Sequence, residues 1–280
     1  MFKLERAKKS DRIMKALTGM TILEFESLVI TFSLVIQKYQ ATRKKKRQRA
    51  VGGGRKHTLK TAADRLFFIL FYVKCYPTMD LAGFFFGVDR SRIQRWVKEL
   101  LPLLEETLGR EVVLPARKVN SVEAFMAQFP EVKDVFIDAT ERPVRRPGKN
   151  KAQNDHYSGR KQRHTKKTLV VGDEQGRVLI LPPTKPGRRS DYFRFKQSGI
   201  GDILAPDVSA WVDLGFVGIE KDFPQLDVVI PHKKSKNREL TPEQRQENTI
   251  ISQLRVKIEH TISRLKRFRA VAGRVQISCG

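Results

Sequence analysis

The stretch VFIDATERPV, residues 135–144, passes abruptly from apolar to polar side chains at Asp138. Its apolar half predicts the end of a buried strand, with Asp138 at the tip of that strand. Burying a carboxylate costs free energy unless a partner compensates its charge, and no basic residue follows before Arg142. The position therefore indicates either a capping carboxylate or a functional one.

Further strand and helix patterns surround this stretch. Strands are predicted at 133–138, 166–173, 176–182, 209–213 and 226–231. The sequence DEQG (173–176) predicts a tight hairpin between the second and third of them. A helical segment within 188–204 joins the third strand to the fourth, and a long helix over 241–268 opens on Thr241, Pro242 and Glu243. Hairpin strands followed by strands with crossovers predict a mixed sheet with helices on its faces.

The N-terminal part has a different pattern. Helices are predicted at 60–74 and 78–86, and a third follows Gly87 and VDRS (88–91). This spacing is typical of a helix-turn-helix, in which the start of the last helix meets base edges. The residues expected to contact DNA there are Ser91, Arg92, Gln94 and Arg95. A small helical bundle with a solvated polar face is the alternative.

We therefore divide the chain into three regions. Residues 1–57 carry a short amphipathic helix and a basic, glycine-rich arm, 58–115 the helix-turn-helix module and 116–280 the sheet domain. The arm, ATRKKKRQRAVGGGRKH (41–57), is interpreted either as a solvated tether or as a DNA-contacting segment. The expected fold class is α+β or α/β, with a helical module before a mixed β-sheet domain.

Charge narrows the class of partner. The 280 residues include 55 Lys and Arg against 30 Asp and Glu, which leaves a net charge of +25. Such an excess is usual where the partner is a polyanion, so nucleic acid is the first candidate. A membrane surface is the second, but no lipidation motif or basic amphipathic anchor is present. Cys75 and Cys279 are too few and too far apart for a disulfide framework or a structural zinc site.

Nothing in the sequence indicates secretion or membrane insertion. The first ten residues are charged and no apolar segment of a signal peptide follows them. The longest apolar run, LFFILFYV (66–73), is far shorter than the ~20 residues that a bilayer span needs. We expect a soluble, cytoplasmic protein.

Two further acids stand in comparable positions. Asp213 follows apolar residues in WVDLGF, and Glu259 lies on the predicted final helix. On that helix a polar stripe runs beside an apolar stripe. The polar stripe comprises Asn248, Ser252, Arg255, Glu259, Ser263 and Lys266, and the apolar one Ile251, Leu254, Ile258 and Leu265. Converging carboxylates suit Mg²⁺. The alternatives are loop capping, pairing of the aspartates with Arg142 or Lys221, and pairing of Glu259 with Arg255.

Several blocks, in order, resemble a known family. They are FIDATERPVRRP (136–147), HYSGRKQRHTKK (156–167), WVDLGFVGI (211–219), IPHKKSKNRELTPEQRQEN (230–248) and RVKIEHTISRLKRF (255–268). Together with the helix-turn-helix segment, they resemble DDE-superfamily transposases of the bacterial insertion-sequence-five group over roughly residues 58–270. The resemblance implies an RNase H-like catalytic domain with Asp138, Asp213 and Glu259 as its metal-binding triad. It also implies DNA strand cleavage and transfer at the ends of an insertion sequence, with two Mg²⁺ ions for which Mn²⁺ can substitute.

The chain departs from the superfamily pattern at some positions. Arg255, Glu259 and Lys266 match a Tyr, Arg, Glu, Lys signature, but Ser252 occupies the tyrosine position. Phe216 replaces a tyrosine common in the WVD block. The chain also ends soon after the last helix, which leaves open a catalytically inactive, truncated or repurposed transposase-derived DNA-binding protein. An RNA-cleaving nuclease is a third alternative, weakened by the helix-turn-helix, which suits duplex DNA.

Basic residues near the second strand are expected to contact the DNA backbone. They are Arg160, Lys161, Arg163, His164, Lys166 and Lys167, to which Arg255 and Lys266 on the final helix are added. A solvated charge run is the alternative. The implied partner is double-stranded DNA, both the terminal inverted repeats of the element and target DNA, bound by a homodimer or higher oligomer in the nucleoid. We expect Asp191 to cap a helix and Glu141 to lie in a turn or near DNA.

Overall fold

The computed structural model describes residues 3–44, 57–110, 114–116, 119, 121–234 and 239–274. It contains two compact units: one from the described parts of 1–114 and 267–276, the other from those of 115–266. The helices of the predicted N-terminal region and of the helix-turn-helix module belong to the same unit. Residues 45–56 of the predicted arm lie outside the described residues. The three-part division of the chain stays a prediction.

The first unit is entirely helical in its described part. Its helices are α1 Leu4–Ala7, α2 Asp11–Thr18, α3 Ile22–Lys44, α4 Ala62–Cys75, α5 Met79–Phe86 and α6 Arg90–Arg110, with a short helix at Arg269–Ala272. The seven consecutive residues 66–72 of α4 are all buried, because α2, α3 and α6 pack around that helix. A helix that is apolar on every side is stable only when enclosed in this way.

Helices α4 to α6 have the predicted helix-turn-helix layout. Thr78 caps α5, its Oγ1 accepting the backbone N–H of Leu81 at 3.2 Å. Gly87 ends α5 in the left-handed conformation with φ of 65°, which glycine adopts at little cost. A Cβ on Gly83 would lie 2.5 Å from the Val88 carbonyl oxygen, so the turn can close only over a glycine. The tight turn holds the start of α6 in a fixed position.

Helix α3 is longer than the short amphipathic helix expected. It buries Phe25, Leu28, Phe32 and Val35, as the apolar spacing predicts, but leaves Leu23 79% exposed. Within the part of the chain that the structure describes, no single helix has both the length and the apolar character of a membrane span. Taken together, Asp11–Thr18 and Ile22–Thr42 meet both criteria by length and composition, with a 53° bend between them.

The second unit combines one sheet with helices on both faces. Its elements are α7 Val122–Gln128, β1 Asp134–Pro143, α8 Asn150–His156, β2 Tyr157–Ser158, β3 Arg163–Gly172, β4 Val178–Ile180, β5 Lys185–Pro186, α9 Asp191–Ser198, β6 Ser209–Trp211, α10 Ile219–Asp222, β7 Asp227–Val229 and α11 Pro242–Lys266. All five predicted strands are present, and so are the predicted helices in 188–204 and 241–268. The very short strands β2 and β5 were not predicted.

The sheet is mixed, as predicted. Its main order is β2-β3-β1-β6-β7, with β4 and β5 also pairing with β3. β1 is antiparallel to β3 and parallel to β6, and β6 is parallel to β7. The hairpin between β3 and β4 turns at DEQG, where Gly176 N–H donates to the Asp173 carbonyl at 3.0 Å. This arrangement agrees with the RNase H-like class.

The two faces of the sheet bury different clusters. Val135 and Ile137 of β1 join a large core with Phe195 of α9. Phe136 of β1 faces the other side, where it packs with Ile258 of α11. Since side chains alternate along a strand, every even-numbered residue of β1 faces the side on which α11 lies. That face includes Asp138.

Candidate functional site

Asp138 lies inside β1 and not at its tip, so the predicted strand end is wrong. β1 continues to Pro143 because β3 pairs with it as far as Thr165. On its other side, β1 pairs with β6 only as far as Phe136 and Trp211. Asp138 is therefore the second residue beyond the parallel pairing, where the sheet opens on the β6 side.

The surroundings of Asp138 disfavour its negative charge. Burial raises the pKa of its carboxyl above the ordinary range. A hydrogen bond from the backbone N–H of Ala139 at 2.7 Å and the charge of Arg255 lower that pKa, whereas the charges of Asp213 and Asp191 raise it. A divalent cation would offset this concentration of negative charge.

Asp213 follows β6 by two residues. Its Oδ1 accepts the backbone N–H of Gly215 at 2.8 Å and so caps the short 3-10 helix Leu214–Phe216. The capping role that was left open for this acid is therefore present. Because β1 and β6 are parallel, their carboxyl ends lie at the same edge of the sheet, and the charge of Asp213 acts on Asp138.

Helix α11 supplies the third predicted acid. Ile258 and Ile262 of α11 pack on Phe136 and Val170, as the predicted apolar stripe requires. Glu259 is exposed, and the charges that act on Asp138 are those of other residues. In the described ranges, no group of three or more His, Cys, Asp or Glu residues could hold a metal ion as placed. The structure thus brings two of the three acids together, and the triad stays a prediction.

The helix-turn-helix residues expected to contact DNA lie at the start of α6. Ser91, Gln94 and Arg95 are exposed and Arg92 is half-buried. Arg95 donates through Nε to the Ser91 carbonyl at 3.3 Å, which holds its guanidinium along the helix. These side chains are accessible to a ligand.

The basic residues of the sheet unit differ in exposure. Arg160, Lys161, Arg163 and Lys166 are exposed, as is Lys266 near the end of α11. His164 is half-buried, with its ring edge-to-face against Tyr157. Lys167 is only 7% exposed and its amine is already paired with Asp191 and Glu141, which makes it a weaker candidate for DNA contact than its exposed neighbours.

Comparison with known proteins identifies the family. The family model described as DDE superfamily endonuclease matches residues 137–279, a range that contains Asp138, Asp213 and Glu259. A second, described as the helix-turn-helix of DDE superfamily endonuclease, matches residues 57–110. The chain belongs to the DDE superfamily endonucleases.

A named relative extends the similarity to nearly the whole chain. This endonuclease is 29% identical over 273 residues to a protein of Microchaete diplosiphon named as the probable transposase for insertion sequence element IS702. The similarity covers 96% of this chain and 89% of that protein. No solved structure matches the chain.

The acids of this DDE endonuclease suit a hard divalent cation. Mg²⁺ prefers carboxylate oxygens and is usually held by one or two carboxylates, with water and phosphate oxygens completing its coordination. Asp138 and Asp213 supply such oxygens at one edge of the sheet, and the raised pKa of Asp138 shows that its negative charge lacks full compensation. The donor set therefore fits Mg²⁺ chemically.

A buried ion cluster next to this site was missed by the sequence reasoning. Lys167 Nζ lies 2.6 Å from Asp191 Oδ1 and 3.4 Å from Glu141 Oε1, and it also donates to the Arg189 carbonyl at 2.9 Å. Glu141 lies within β1, so its expected place in a turn is wrong, while its alternative place near DNA stays a prediction. Ser190, and not Asp191, caps α9. The pairing of Glu141 opposite Lys167 in the β1–β3 register is a signal that the sequence alone does not contain.

Proposed function

We propose that this DDE endonuclease is a transposase of the bacterial insertion-sequence-five group. In this proposal it cleaves DNA at the terminal inverted repeats of its element and joins the released 3′ ends to target DNA. It acts on double-stranded DNA in the nucleoid, as a homodimer or higher oligomer. The similarity to a named transposase over nearly the whole chain supports the substrate class.

The observation that carries the proposal is the placement of Asp138 and Asp213. Asp138 lies in β1, two residues beyond its pairing with β6, and Asp213 follows β6 by two residues, so both stand at one edge of an RNase H-like sheet, where their like charges interact. Glu259 lies on α11, the helix packed on the same face as Asp138. In the proposal these three carboxylates hold the cations, and Arg255, one turn before Glu259, contacts phosphate.

The chemistry follows from these roles. Asp138, Asp213 and Glu259 would hold two Mg²⁺ ions, or Mn²⁺ in their place, and these would supply charge stabilisation for an in-line phosphoryl transfer. In hydrolysis, water attacks the phosphorus and the bond to the 3′ oxygen breaks, so the product carries a 3′-hydroxyl. In strand transfer, that hydroxyl attacks a phosphorus of target DNA and forms the new phosphodiester, while the bond to the target's own 3′ oxygen breaks and leaves a 3′-hydroxyl on the target. The exposed residues at the start of α6 and near β3 bind the duplex and set its position.

The test is nicking of a plasmid that carries the inverted repeats flanking this reading frame. We expect full-length protein to nick the repeats with MgCl₂ or MnCl₂ and not with EDTA. Asp138→Asn should abolish nicking and leave DNA binding intact, because it removes the charge while keeping the side-chain shape. Asp207→Asn, the same change at an exposed aspartate, is the matched control and should nick like wild type.

Two outcomes would contradict the proposal. If wild-type protein binds the repeats but never nicks them with either metal, the chain is a non-catalytic DNA-binding protein derived from a transposase. If Asp138→Asn and Asp207→Asn nick equally well, the activity does not depend on the proposed carboxylates. Nicking of RNA in place of DNA would assign a different substrate to the same residues.

A further inference from the structure

The face of β1 that carries Asp138 continues into a polar and basic surface. Its residues are Phe136, Asp138, Thr140 and Arg142, and the β3 residues opposite them are Gly172, Val170, Thr168 and Lys166. At about 3.3–3.4 Å per residue, Thr140 lies ~7 Å and Arg142 ~13 Å along the strand from Asp138. The same face therefore leads from the candidate site toward cationic side chains.

Several donors around this face lack a partner in the described part of the chain. The Thr140 side chain is buried, with the residue 8% exposed, and its Oγ1 has no hydrogen-bond partner. The Nε atoms of Arg142 and Arg255 are also buried without one. Buried polar groups are almost always hydrogen-bonded in native proteins, so such exceptions call for an explanation.

Neighbouring polar groups on β3 do have partners. Thr168, directly opposite Thr140 on β3, shares a hydrogen bond of 2.6 Å with Thr184. Lys167, also on β3, is paired with two carboxylates. Asp191 Oδ1 and Arg194 Nε are also buried without a hydrogen bond, but they belong to α9, which packs on the opposite face of the sheet.

The chemistry of these donors selects the ligand. Two guanidinium groups and a hydroxyl call for a multivalent oxygen acceptor with negative charge, and phosphate matches that description. A metal ion is excluded because arginine has no lone pair to offer. Arg255 also acts electrostatically on Asp138, so the acceptor would lie beside the proposed cleavage site.

We propose that Thr140, Arg142 and Arg255 form a seat for one DNA backbone phosphate next to the scissile one. This inference rests on the proposed function and deepens it, because the seat fixes the direction in which the strand leaves Asp138. The DNA strand then runs from Asp138 along β1 toward Arg142 and Lys166. Thr140 and Arg142 are positioning residues: they hold the DNA and do not touch the reacting atoms.

The first experiment measures binding of a fluorescein-labelled DNA duplex to full-length protein by anisotropy, in EDTA and over a series of NaCl concentrations. We expect Arg142→Met to weaken binding and to reduce the slope of log K against log salt by about 0.9, the value for one phosphate contact. Thr140→Val should weaken binding roughly tenfold. The controls are Lys196→Met, whose amine is already paired with Asp222 at 3.0 Å, and Thr168→Val. Neither should change the slope.

A double variant tests whether the residues share one phosphate. If they do, Thr140→Val should cost less affinity in the Arg142→Met background than in wild type, because the phosphate has already lost its main contact. Additive losses would contradict a shared seat, as would affinities and slopes that remain at the wild-type values. Failure of the wild-type protein to bind the duplex would also overturn the inference.

A stability measurement separates the seat from a merely structural role. Thr140→Val removes a buried hydroxyl without a partner and should leave the melting temperature unchanged or raised, whereas Thr168→Val removes a hydrogen-bonded one and should lower it. A lower melting temperature for Thr140→Val would assign that hydroxyl to folding and overturn its place in the seat.

Two further measurements distinguish a DNA phosphate from free phosphate, and failure of the phosphate seat from failure of the proposed transposase. Sodium phosphate that stabilises wild-type protein but not Arg142→Met, with no change in the DNA slope, would make the seat one for free phosphate and overturn the proposal. If wild type and Arg142→Met nick at equal rates and bind DNA with equal salt slopes, the seat is refuted and the proposed transposase function is not. A reduced slope without nicking by any variant refutes the nuclease and supports the seat.

Discussion

At the scale of single residues, Asp138 shows how burial creates a carboxylate suited to a cation. Its pKa is raised chiefly by burial, and the like charges of Asp213 and Asp191 act in the same direction. Among the described residues, Arg255 and one backbone N–H oppose the shift. Ionisation of this carboxyl is therefore disfavoured in the folded protein, and perturbed groups of this kind are concentrated at functional sites.

This charge predicts how Asp138→Asn changes stability with pH. Between the unfolded and the raised folded pKa, the folded protein binds more protons than the unfolded chain, so the free energy of unfolding falls as pH rises through that window. Asparagine keeps the bond from Ala139 N–H and removes the charge. We expect metal-free Asp138→Asn to melt above wild type at pH 7, with the difference vanishing toward about pH 3.

Thermal unfolding in EDTA at several pH values measures this difference. Asp207→Asn, at an exposed position, serves as the control and should follow wild type at every pH. A variant that melts below wild type at pH 7, or a difference that does not change with pH, would show that the Asp138 carboxylate is well compensated in the fold.

Gly215 determines where the Asp213 carboxylate lies. A Cβ at this glycine would lie 2.8 Å from Asp213 Oδ1, which is too close for both atoms to stay in place. We expect Gly215→Ala to displace the carboxylate and to slow nicking by about 10²-fold, as a misplacement of ~1 Å in a reacting group can. Gly148→Ala, where a Cβ would meet no atom within 4 Å, is the control. Equal nicking rates for both variants would refute this role for Gly215.

At the scale of elements, the pairing of β1 with β3 determines where β1 ends and which basic residue is buried. The sequence alone predicted neither. The β1 pattern was predicted as far as Asp138, but its polar half continues as strand because β3 supplies partners up to Thr165. The same pairing buries Lys167 between Glu141 and Asp191. A run of basic residues in sequence thus contains both a buried structural lysine and exposed candidates for DNA contact.

Adjacent lysines on β3 test this division. Lys167→Met removes the cation that pairs with the mostly buried carboxylates of Glu141 and Asp191 and should lower the free energy of unfolding by about 3–5 kcal/mol. Lys166→Met, at an exposed position, should change it by at most about 0.5 kcal/mol while weakening DNA binding. Urea denaturation and anisotropy measure the two effects. Equal stabilities of the two variants would contradict a structural role for Lys167.

At the scale of the whole molecule, charge and family agree on the partner. The net charge of +25 indicates a polyanion, and family matches cover both the helix-turn-helix region and the region of the three acids. Exposed basic residues occur in each unit, at the start of α6 in one and near β3 in the other. DNA binding is therefore expected of both units.

The sequence by itself determined the order of the main elements, the mixed sheet and the class of partner. Such features depend on local periodicity, capping and composition, which are properties of consecutive residues. For the same reason it located the helix-turn-helix at Gly87 and the apolar face of α11. It also singled out Asp138, Asp213 and Glu259 as candidate metal ligands.

Only the tertiary structure decided which of these groups meet. Strand pairing brings Asp138 and Asp213 to one sheet edge, places Lys167 between two carboxylates and leaves the Thr140 hydroxyl without a partner. Each of these facts concerns either the proximity of residues far apart in the chain or the burial of a side chain. Both depend on register and packing, which no local pattern specifies.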